Sequence, residues 1–137
     1  MSSFEKLEDL ITAVRNGQFL DLDYYEGLET DDVLDARDQS GAFDDDWIEV
    51  YQMTEGRWEA EVAPLQQRIV DSLRESAFKM ITEETEQNEI ALYVSDDFDL
   101  IARCKLLKID HALPRFLERS YLKQIFPMPG DGGVYPQ

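Results

Sequence analysis

Apolar residues recur three and four positions apart over most of this chain, the spacing of one helix face. Behind Ser2 and Glu5, which have the form of a capping box, Phe4, Leu7, Leu10, Ile11 and Val14 predict a first helix ending near Asn16, with Gly17 after it. Thr30 can cap a short helix reaching about Gln39, with Asp31 and Asp32 in its first turn. Asp44 can cap another, on which Trp47, Val50 and Tyr51 share a face before Gly56. The clearest pattern follows Pro64, a residue tolerated at a first helical position. There Leu65, Ile69, Leu73 and Ala77, flanked by Val70, Phe78, Met80 and Ile81, make a wide apolar stripe opposite Arg68, Asp71, Ser72, Glu75 and Lys79. This helix is expected to be the centre of the core.

One stretch breaks the helical rule. Ile90, Ala91, Leu92, Tyr93 and Val94 form a short continuous apolar run, which reads as a buried strand needing a partner from 18–24 or 47–53. After it, Ser95 or Asp96 can cap a helix that buries Leu100, Ile101, Cys104 and Leu107, and Asp110 can cap a last helix with Phe116, Leu117 and Tyr121 inward, ended by Pro127. The fold expected is mainly α: a single-domain bundle of five to six helices with at most a small two- or three-stranded sheet, with α+β as the alternative. The domain should span 1–127, and 128–137, rich in Gly and Pro, should be a mobile tail.

Charge changes what this bundle can be for. Lys and Arg number 13 against 30 Asp and Glu, a formal net charge of −17, which argues against a nucleic-acid binder and for a cationic partner. A hydrophobic content of 43% is too high for a disordered acidic tail. The acids are also unevenly placed: residues 1–61 hold 18 acids and four bases, the remainder 12 acids and nine bases. Within 21–46 lie Asp21, Asp23, Glu26, Glu29, Asp31, Asp32, Asp35, Asp38, Asp44, Asp45 and Asp46, eleven acids against the single base Arg37. Tyr24, Tyr25, Phe43 and Trp47 are set among or beside them. Acids can steer a basic partner and aromatics can supply contact area. The partner-binding residues expected are therefore Asp21, Asp23, Tyr24, Tyr25, Glu26, Glu29, Asp31, Asp32, Asp35, Asp44, Asp45, Asp46 and Trp47, with at least one of the two tyrosines an exposed anchor.

Catalytic and metal chemistry find little support. Asp21 and Asp23 open a calcium-loop pattern, but Tyr25 and Glu26 stand where an acid and the glycine are needed, and Gly27 comes one residue late. With one His and one Cys there is no zinc set. Cys104 and His111 fall on either side of an expected helix break, so Cys104 reads as core and His111 as a surface residue. No glycine-rich phosphate loop occurs. The expectation is a binding protein with no enzymatic activity, no cofactor and no metal, a monomer or weak dimer. The charged N-terminal stretch and lone cysteine suggest a cytoplasmic location.

The run Asp21-Leu22-Asp23-Tyr24-Tyr25-Glu26-Gly27 resembles the acidic Tyr-Tyr segment with which immunity proteins of nuclease bacteriocins hold their toxin, although those have Pro where this chain has Glu26. The resemblance implies a small acidic bacterial immunity or antitoxin protein that occludes a basic, nuclease-like toxin. A DNA mimic that inhibits a DNA-binding protein, or a non-catalytic adaptor subunit, would use the same acids.

Overall fold

A computed structural model describes residues 7–16, 21–38 and 41–128. Among them run seven helices and no strand: α1 (Leu7–Arg15), α2 (Leu22–Glu26), α3 (Thr30–Asp38), α4 (Gly41–Glu61), α5 (Pro64–Thr85), α6 (Asn88–Leu107) and α7 (Ala112–Leu122). The helix count exceeds the five or six expected because Leu22–Glu26, part of a stretch considered as a strand, folds into the short α2. The expected capping box at Ser2 and the tail beyond Met128 lie outside the described residues.

The apolar run at 90–94 is not a strand. It belongs to the first turns of α6, and burial shows the period: Ile90, Ala91 and Val94 are inaccessible, whereas Leu92 is 53% exposed. In a strand, Ile90, Leu92 and Val94 would share a face; in a helix, Leu92 is turned away from the other two. Ser95 and Asp96, expected as caps, are interior to α6. Without a strand at 90–94, the pairing partners sought in 18–24 and 47–53 are not needed.

The centre of the bundle is α6, not α5. α6 buries thirteen side chains and packs against α1, α3, α4, α5 and α7, with α5 as its most extensive neighbour. α5 starts at Pro64 as expected and buries Val70, Leu73, Ala77 and Ile81, but Leu65 is 62% and Ile69 36% exposed, so the stripe faces the core only from Val70 onward. α4 is longer than the sequence suggested, running through Gly56, where the missing Cβ faces open space and no special backbone conformation is needed. Turns between the long helices are sharp: Glu86 and Lys108 take positive φ at the C-termini of α5 and α6, and their backbone N–H groups close on Thr82 and Cys104. The final helix is capped by His111, not Asp110, its Nδ1 accepting from the Leu113 N–H at 3.0 Å.

Two long-range ties fix the acidic helices on this scaffold. Gln87, between α5 and α6, uses both ends of its amide: Nε2 donates to the carbonyls of Tyr25 (3.2 Å) and Leu28 (2.7 Å), and Oε1 accepts from the Thr30 hydroxyl at 2.6 Å. The Tyr24 hydroxyl accepts from the Phe126 backbone N–H at 3.1 Å, joining α2 to the segment after α7.

Candidate partner-binding site

The chemistry of the site begins with a carboxylate in the core. Asp97, on the middle of α6, is inaccessible to solvent, and a buried charge must be paired and hydrogen-bonded to persist. Arg37 of α3 supplies the pair as a fork, Nη1 to Oδ2 at 2.7 Å and Nη2 to Oδ1 at 2.9 Å. The Trp47 indole N–H of α4 donates to Oδ1 at 3.0 Å, and the Tyr121 hydroxyl of α7 to Oδ2 at 2.6 Å. One carboxylate thus collects donors from three other helices. The Arg37 guanidinium also lies 4.9 Å from the ring centres of Phe43 and Phe126 and 5.2 Å from that of Tyr93. Burial pulls the guanidinium's pKa down, but the charge and hydrogen bonds of Asp97 outweigh it and the net shift is upward. Burial, with Asp97 next in size, raises the Tyr121 phenol, which stays protonated to donate.

A cleft of about 170 Å³ opens over this cluster, lined by Arg37, Asp38, Phe43, Asp44, Trp47, Tyr93, Asp96 and Asp97. Its carboxylates differ in how far they are engaged. Asp97 is saturated by its four donors; Asp96 pairs with Arg74 at 2.9 Å; among the described residues Asp38 accepts only from the Tyr93 hydroxyl, at 3.1 Å and 3.3 Å, and the exposed Asp44 is in no ion pair. Burial holds the Asp96 carboxyl above its ordinary range in spite of Arg74. A second guanidinium, Arg103, is fixed in a similar aromatic setting, 4.5 Å from the Trp58 ring and 5.2 Å from Tyr51, and pairs with Asp99 and Glu55. With Lys105 paired to Glu118 at 2.8 Å, part of the basic charge noted in the last two helices is used internally.

The surface acids lie where solvation requires. Asp21, Asp23, Glu26, Glu29, Asp31, Asp32, Asp35, Asp44 and Asp45 are exposed, and Asp46 is half-buried. Asp31, Asp35 and Asp38 follow one another at i, i+4 and i+7 and so form a stripe on α3 that borders the buried Leu34 and ends at the cleft. The aromatics are placed differently. Tyr25 is fully buried, with its hydroxyl unpartnered, and cannot be an exposed anchor; its ring meets Tyr24 edge-on at 5.2 Å. Tyr24 and Trp47 are half-buried, Trp47 stacking on Tyr51 at 5.6 Å. Asp97 was not singled out in the sequence, and Asp96, Tyr93 and Tyr121 were expected only as a cap, part of a buried strand and a core residue, not as parts of this site. The available signal was a group of acids inside an apolar helical pattern, Asp96, Asp97 and Asp99, together with a lone Arg in the acidic block.

The family is decided by comparison. A family model described as "Immunity protein PIM1" matches residues 9–128. The chain belongs to the PIM1 family of immunity proteins. The match extends from within α1 to the segment after α7 and includes the Arg37–Asp97 cluster. No curated protein and no solved structure matches the chain. Membership in the PIM1 family bears out the expectation of an immunity-type protein on a mainly helical fold. It does not extend to the nuclease-bacteriocin likeness of the Tyr24-Tyr25 segment, in which Tyr25 is buried.

Two other groups invite chemistry and resist it. Asp46, Glu49 and His111 bring ligand atoms within 4.8 Å of one another. His111 Nδ1, however, accepts the Leu113 N–H, which leaves the neutral ring's proton on Nε2, 3.3 Å from Glu49 Oε2. A metal at Nε2 would have to displace that proton and so compete with the helix cap. Cys104 is buried, and burial pushes its thiol up to about 12, so it is no nucleophile at neutral pH. No helix among the described residues is long and apolar enough to cross a membrane.

Proposed function

We propose that this PIM1-family immunity protein neutralises a basic toxin by binding and covering it, without catalysis, through the acidic surface of α2, α3 and the start of α4. One observation carries the sign of the partner. The single base in that surface, Arg37, is engaged by Asp97 and buried, so it neutralises none of the exposed carboxylates around it. A surface of that charge attracts a cationic partner over about a Debye length and speeds encounter. Trp47 and Tyr24, half-buried and held by hydrogen bonds, supply rigid aromatic area at low entropic cost. Tyr25 supports this surface from beneath rather than contacting the partner.

The test is protection. The cognate toxin, sought first in the neighbouring genes, should be lethal when expressed alone and harmless when this protein is co-expressed, and the two purified proteins should form a stable complex. A toxin with an acidic contact surface, or a complex that forms equally well after the acids of α3 are neutralised, would overturn the reading.

A further inference from the structure

We propose that the cleft between α3, α4 and α6 is a receptor for an arginine side chain of the partner, which inserts between Asp38 and Asp44 against the Trp47 ring. This rests on the binding role proposed above and assigns it a specific pocket and ligand chemistry. Among the residues that line the cleft, Arg37 and Asp97 cancel each other and leave Asp38, Asp44 and Asp96. Of these, only Asp96 has a cationic partner among the described residues, Arg74. The concave site therefore keeps an excess of negative charge at its rim, where neighbouring walls of low dielectric strengthen attraction.

Geometry favours a planar cation. Aromatic rings from Phe43, Trp47 and Tyr93 line the walls, and the same wall residues Phe43 and Tyr93 already flank the buried Arg37 guanidinium. A second guanidinium entering above would find flat faces to stack on and two carboxylates to accept its N–H groups, which a compact ammonium would use less fully. On the floor, Arg37 is 5% exposed, and its Nε, inaccessible to solvent, has no hydrogen-bond partner among the described residues. Apolar contact area flanks the opening. Ile48, one turn beyond Asp44 on α4, is 46% exposed, and Leu92, one turn before Asp96 on α6, is 53% exposed. The carboxylate stripe of Asp31, Asp35 and Asp38 leads along α3 to the same opening.

The indole N–H of Trp47 provides a direct reporter, since the chain has only two tryptophans and Trp58 serves as an internal reference on another cluster. Full-length protein labelled with ¹⁵N is titrated with N-acetyl-arginine amide, and in parallel with the lysine and the uncharged citrulline derivatives. The Trp47 signal should shift saturably with the arginine probe, more weakly with lysine and not with citrulline, while Trp58 stays still. Asp38→Asn/Asp44→Asn, exposed positions whose change leaves the core intact, should weaken arginine binding about tenfold, the effect of losing charge-assisted hydrogen bonds. Glu59→Gln/Glu84→Gln, with the same change in net charge on exposed acids outside the cleft, should bind as the wild type does. Citrulline binding equally, lysine binding as tightly as arginine, or equal losses in the two double variants would each overturn the proposal. Protection from the toxin is scored separately on the unaltered protein. If it protects but the arginine probe fails, the cleft assignment falls and the immunity reading stands; if it does not protect, that reading falls and the titration still judges the cleft.

Discussion

Asp97 receives four donors from Arg37, Trp47 and Tyr121, so its charge is satisfied in the one place where an unpaired charge would be most costly. Asp97→Asn would turn a nitrogen toward the Arg37 fork and leave a buried guanidinium without its counter-charge. Breaking a buried pair from one side costs about 3–5 kcal/mol, and urea unfolding should record a loss of that size. A loss under about 1 kcal/mol would mean the pair is solvated rather than structural. Tyr25 gives the opposite expectation. Its hydroxyl is buried without a partner, so Tyr25→Phe should raise stability by about 1 kcal/mol, whereas a comparable loss would reveal a bond to that oxygen. Tyr25→Ala, in contrast, should unfold the protein through a core cavity costing about 3–5 kcal/mol, so its effect on binding would follow from its effect on folding. Tyr was hard to place from sequence because acids flank it on both sides. Asp23 and Glu26 point to solvent while Tyr25 between them points inward, which a five-residue helix allows.

At the scale of the elements, the sequence was most legible where apolar period and start signals coincided, as at Pro64 for α5 and at Thr30 for the start of α3. It was least legible in α6. A helix buried nearly all round has no polar face to display a period, so its apolar first turns look like a buried strand. Side-chain truncation separates the two readings: Ile90→Ala should cost about 2–5 kcal/mol and Leu92→Ala no more than about 0.5 kcal/mol by urea unfolding. Equal losses would restore the alternation of a strand. The acid-lined cleft was partly legible for a related reason. Asp44 and Trp47 were expected in the interface from local sequence, but Asp97 and Tyr93 reach the same cleft from about fifty residues further on, and only the packing of α6 against α3 and α4 joins them.

For the molecule as a whole, protonation and net charge set the remaining expectations. Burial raises Cys104 to about 12 and raises the phenols of Tyr25 and Tyr121, so the folded protein keeps protons that the unfolded chain releases from about pH 9 upward. The native state then binds more protons than the unfolded one, and stability must fall as pH rises, by about 1.4 kcal/mol per pH unit for each group involved. Urea midpoints should be flat with respect to these groups up to about pH 8 and drop steeply by about pH 11; a flat profile across that range would show the groups to be solvated. Under the function proposed, an immunity protein with a net charge of −17, whose α2 and α3 carry no exposed base, captures a basic toxin by electrostatic steering. The most direct measurement is the stopped-flow association rate with the cognate toxin, from about 0.05 M to about 0.5 M salt. The rate should fall by tenfold or more, roughly the scale of steering, while dissociation changes much less. An association rate indifferent to salt would contradict the claim.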